Sequence, residues 1–66
     1  MDKETFKELL RRNGYSVDSS AKNPTVLMVG ASKDELKKKF MEVELFAQKL
    51  GYDHSIGVKN LEETHG

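Results

Sequence analysis

The longest apolar run in the chain is only four residues, Val26-Leu27-Met28-Val29. It stands between Pro24 and Gly30 and directly ahead of a long amphipathic segment. A continuous apolar run of this length reads as an inner strand. It falls far short of the about 20 apolar residues that cross a bilayer. The rest of the chain must therefore arrange itself around one short strand. The N-terminal segment MDKETFKELL is charged and lacks the apolar core of a secretory signal. There is no cysteine among the 66 residues, so neither a disulfide nor a thiolate metal site reinforces the fold. That composition fits a reducing compartment, and a single cytoplasmic domain is expected. A domain of this size buries only about 60% of its unfolded surface, so marginal stability is expected too.

Two helical segments flank the strand. In the first, DKETFKELLRRNG, Asp2 is a candidate N-cap, Phe6, Leu9 and Leu10 share a face, and Gly14 supplies the C-terminal turn. The second helix starts after Ser32. Ser32 and Glu35 have the spacing of a capping box, and the helix runs to Leu50, where Gly51 ends it. Tyr15–Asp18 alternates apolar and polar residues and reads as a short strand; Tyr52–Asn60 reads as a last strand that includes His54. The expected order is α-β-β-α-β. The expected fold is a small two-layer α+β domain over residues 1–60, with a three-stranded mixed sheet and both helices packed on it. The second and third strands should run parallel, joined by a right-handed crossover. Residues 61–66 show no periodicity and are expected to form a mobile tail.

The segment VGASKDELKKKF resembles a phosphate-binding entrance only in outline. A phosphate loop needs several glycines and a Lys-Ser/Thr pair at the helix start, whereas this segment has one glycine and its serine comes first. Asp34 and Glu35 also bring negative charge to the helix N-terminus. The only histidines, His54 and His65, are eleven positions apart with no other metal-ligand pattern around them, so no metal and no cofactor is expected. His54 is expected to pack on the inner face of the last strand. No serine lies in a nucleophile signature, and no catalytic residue is assigned.

Lys+Arg and Asp+Glu each count 11, so the formal net charge is zero, which argues against a dedicated nucleic-acid clamp. Residues 1–39 hold nine basic against six acidic side chains (+3), and residues 40–66 hold two against five (−3). If Lys7, Arg11, Arg12, Lys33, Lys37, Lys38 and Lys39 converge, they offer a weak phosphate-binding face without base readout. That is the alternative function.

The most informative anomaly lies on the second helix. Leu36, Phe40, Val43, Ala47 and Leu50 form one stripe, the expected core face, with Phe46 at its edge. Met41 and Leu45 lie about 140° and about 180° from Leu36, where a helix covering a small sheet should be polar. They are four apart and touch each other on the helix surface. Outward residues of TVLMV, either Val26 and Met28 or Leu27 and Val29, add a second apolar strip. The expected function is a non-catalytic protein-interaction module using Met41 and Leu45, with another protein or a second copy as partner. Neither a membrane nor a small-molecule substrate is expected.

Overall fold

A computed structural model describes residues 1–62. It comprises α1 (Lys3–Arg12), β1 (Thr25–Val29), α2 (Lys33–Leu50) and β2 (Gly57–Leu61). The two strands form a parallel two-stranded sheet, with Val26 opposite Val58 and Met28 opposite Asn60. The crossover between them is α2, as parallel neighbours require. The order is thus α-β-α-β, and the expected three-stranded mixed sheet is not formed.

The missing strand has a local cause. Tyr15 spends its backbone N–H on Leu10 O (3.0 Å), which ties it to the end of α1. Two residues beyond Ser16, the Asp18 carboxylate accepts from both the N–H and the hydroxyl of Ser20, and the chain turns away. Only Ser16–Asp18 remains free to run beside β1. It makes one antiparallel bridge, Val17 to Val26, flanked by the bonds Asp18 N to Thr25 O and Leu27 N to Ser16 O. One bridge is a contact, not a strand.

The last strand also begins later than the alternation implies. Tyr52 is buried in the core, donates its N–H to Ala47 O, and reaches Ser55 O with its hydroxyl. That anchor holds the following residues as a connector, and pairing starts only where Gly57 N meets Pro24 O at 2.9 Å. His54 is therefore outside the strand and exposed rather than packed. β2 runs through Leu61, one residue past the expected end. The remainder of the expected tail, 63–66, with His65, lies outside the described residues.

The helix ends follow the sequence closely. Asp2 accepts from Thr5 N at 2.7 Å. Ser32 and Glu35 bond each other's backbone amides at 3.2 and 3.0 Å, a complete capping box. Gly14 and Gly51 take φ values of +88° and +78° just beyond the two helices, a conformation costly for any residue with a Cβ.

The core is formed by Phe6, Leu10, Val26, Val43, Ala47 and Tyr52. Phe6 stacks on Tyr52 with ring centroids 4.3 Å apart and lies 5.9 Å from Phe46. Each fully buried large side chain contributes roughly 1.5–3 kcal/mol, so these residues carry the fold. They gather under α1 and the C-terminal half of α2. The N-terminal half of α2 has only the narrow sheet beneath it. Phe40, expected in the core, is accordingly 38% exposed.

Candidate interaction face

Met41 and Leu45 are exposed on α2, at 64% and 58%, with Phe40 beside them. An open groove of about 350 Å³ runs between this part of α2 and β2, lined by Leu36, Lys37, Phe40, Met41 and Val58. Phe40 also borders a second hollow of about 570 Å³ that continues past Ala47 and Tyr52 to Ile56. Phe40 is thus shared by the two hollows and Met41 borders the smaller one, while Leu45 lies on the helix surface outside both. Phe40 and Val58 belong to this face, and their sequence positions concealed it. Phe40 shares its helical phase with buried Val43 and Ala47, and only the width of the sheet separates them.

The shoulder of α2 on the β1 side is different. There the Tyr15–Val17 segment fills the space beside the helix. The Tyr15 hydroxyl donates to Glu42 at 2.5 Å, its ring lies 6.2 Å from that of Phe46, and Lys39 Nζ stands 5.3 Å from the ring centre. The hydrogen bond to Glu42, with burial and the Glu42 charge behind it, pushes the Tyr15 pKa up to about 12. The same bond, assisted by Lys39, holds the Glu42 carboxyl below its ordinary value.

On the sheet, Val26 faces the helices and is buried, so Leu27 and Val29 occupy the opposite face. Val29 is 61% exposed and stands beside its partner Leu61, which is also exposed. Leu27 and Val29 also line an open hollow of about 230 Å³ shared with Tyr15, Ser16 and Lys39.

The basic residues differ in their surroundings. Lys7 is buried at 4% exposure, its ammonium 2.9 Å from Ala21 O and 3.3 Å from Glu4. Arg11 and Arg12 both pair with Glu8, at 3.6 and 3.4 Å. Lys39 pairs with Glu42 at 3.3 Å. Lys33, Lys37 and Lys38 are exposed on the first half of α2 and make no ion pair with a described residue.

Much of the backbone at the entrance to α2 is engaged by its own bonding. Gly30 N donates to Leu61 O (3.1 Å), Ala31 N to Asn60 Oδ1 (3.1 Å), Ser32 N to Glu35 and Glu35 N to Ser32. Four of the amides at this turn are thereby engaged. Asn60 completes the lock by donating Nδ2 to Ala31 O at 2.9 Å.

Among the described residues, no helix is long and apolar enough to cross a membrane, and no three potential ligands are placed to hold a metal ion. Comparison with protein families, curated proteins and solved structures finds no match to this chain.

Proposed function

We propose that this chain is a non-catalytic protein-interaction module that docks its partner on the outer face of α2, with Met41 and Leu45 at the centre and Phe40 at the groove. The observation that carries it is three large apolar side chains exposed on one helix, two of which, Phe40 and Met41, line an apolar groove. Scattered exposed apolar residues are ordinary; a cluster with Lys37, Lys38 and Glu44 around it supports the reading of a contact surface. Methionine adapts its shape to a partner better than a branched side chain. A non-catalytic role also agrees with the titration behaviour. The carboxyls with lowered pKa (Asp2, Asp18, Glu35 and Glu42) are held by helix caps, a turn or Tyr15, and do not converge on a hollow. The cysteine-free composition suits a cytoplasmic setting.

The test is the double variant Met41→Lys, Leu45→Glu. Both positions are exposed, so helicity by circular dichroism should be unchanged while partner binding falls at least tenfold. Binding retained at full strength with the fold intact would end the proposal.

A further inference from the structure

The open edge of β2 specifies what kind of partner fits. In a parallel pair, alternate residues direct their N–H and C=O toward the neighbouring strand. Gly57 N bonds Pro24 O, and Leu61 O accepts from Gly30 N, so Gly57, Lys59 and Leu61 face β1. Val58 and Asn60 therefore present their backbone N–H and C=O groups outward. Among the described residues, no strand pairs with that side. The edge lies beside the groove formed by Leu36, Phe40, Met41 and Val58.

The molecule itself shows how such a position is filled. On the opposite edge, Ser16–Asp18 lies antiparallel to β1, and the preceding Tyr15 tucks its ring against α2. The β2 edge has the same two parts, a row of free backbone groups and an apolar helix shoulder, without the occupant. Exposed edges of this kind accept an added strand.

We infer that the occupant is a second copy of this chain, joined by antiparallel pairing of β2 with the partner's β2 across a two-fold axis. The inference rests on the proposed α2 docking face for its apolar contact. A two-fold axis normal to the sheet makes the interface self-complementary. It pairs the outward groups of the two edges, and it keeps both α2 helices on one side of a continuous four-stranded sheet. The two Phe40–Met41 shoulders then approach each other over the joint. Charge and apolar contact together narrow the register. Centring the axis on Lys59 would set two lysines directly opposite, which is unfavourable. Centring it on Val58 sets Val58 against the partner's Val58, beneath the apolar shoulders, and leaves each Lys59 opposite the partner's Gly57. The pairing extends the two-stranded sheet to four strands.

The experiment uses chemical synthesis of the chain with the Val58 amide N-methylated. That N–H points away from β1, so the modification leaves the β1–β2 ladder and every side chain in place. The unmodified chain should show a concentration-dependent mass approaching twice 7.5 kDa. The methylated chain should sediment at 7.5 kDa with unchanged helical circular dichroism. Should methylation unfold the chain, amide exchange of the unmodified protein gives the same decision. Val58 and Asn60 should be protected in concentrated solution and lose protection on dilution, while Gly57 and Lys59 stay protected. A monomer at every concentration, a dimer indifferent to methylation, or exchange at Val58 and Asn60 that ignores concentration overturns the inference. A monomer whose binding to another protein still needs Met41 and Leu45 overturns self-pairing and leaves the docking face standing. A dimer abolished by methylation but indifferent to Met41→Lys, Leu45→Glu overturns the docking face instead.

Discussion

Tyr15 joins the end of α1, the β1 edge and α2 through one side chain, and its chemistry makes that junction sensitive to pH. Its pKa is raised to about 12 from an ordinary 10.0, chiefly by the hydrogen bond to Glu42. A raised pKa means that the folded state holds the proton more tightly. The contribution is fully present below pH 10.0 and is lost as pH rises toward about 12. Glu42 is shifted the other way, so its contribution is present above its ordinary 4.5 and is lost as pH falls below it. Tyr15→Phe should lower stability by about 1 kcal/mol, or roughly 4–8 °C in melting temperature. Melts recorded across the alkaline range should also show a smaller loss of stability in the variant. Tyr52, whose pKa burial raises, adds to the loss in both chains. Asn60 is the second residue whose role comes from geometry. Asn60→Ala removes both bonds to Ala31 and should cost about 1–2 kcal/mol. Faster amide exchange at Ala31 would show that the loss is at this turn; unchanged exchange would show that it is not.

At the scale of the element, α2 was legible at both ends and only partly along its length. Ser32, Glu35 and Gly51 act through bonds to their own neighbours, so their spacing was sufficient. Ser32→Ala should cost about 1 kcal/mol and fray the first turn of α2, seen as weaker amide protection there. Glu35 belongs to the same cap, and its lowered pKa comes first from the Ser32 backbone N–H. The cap therefore weakens as pH falls below 4.5, the ordinary value for Glu35. The helix face was harder to read. Phe40 and Val43 look equivalent in a helical projection, yet one is half in solvent and the other is buried. The difference depends on what lies under each turn. Tyr15–Asp18 failed for a related reason. Alternation made it a strand candidate, but backbone bonds from Tyr15 to α1 and the Asp18 turn left it too little free chain.

For the whole molecule, stability is concentrated where α1, the C-terminal half of α2 and Val26 meet. Phe6 is fully buried there, and Phe6→Ala should cost about 3–5 kcal/mol. Against a typical total of about 5–15 kcal/mol, much of the population should unfold, measurable by denaturant titration. The same architecture engages several of the basic residues locally. Lys7 is enclosed by the loop at Ala21, and Arg11, Arg12 and Lys39 are paired with carboxylates. Duplex DNA titrated at physiological salt should bind no more tightly than about 100 µM, the weak limit of non-specific association. Micromolar binding with a steep salt slope would favour the phosphate-binding alternative over protein docking.

The sequence by itself determined the helices, their caps and the placement of Met41 and Leu45 outside the core. Each of those depends on contacts within about one or two turns of helix, and local spacing encodes such contacts. Tertiary structure decided the number of strands, the exposure of Phe40, the burial of Lys7 and the alignment of the groove with the free edge of β2. Those features depend on groups far apart in the chain competing for the same backbone bonds and the same space. Tyr15 bonded to α1 instead of extending a strand, Tyr52 entered the core instead of the sheet, and the uncovered side of α2 is the consequence.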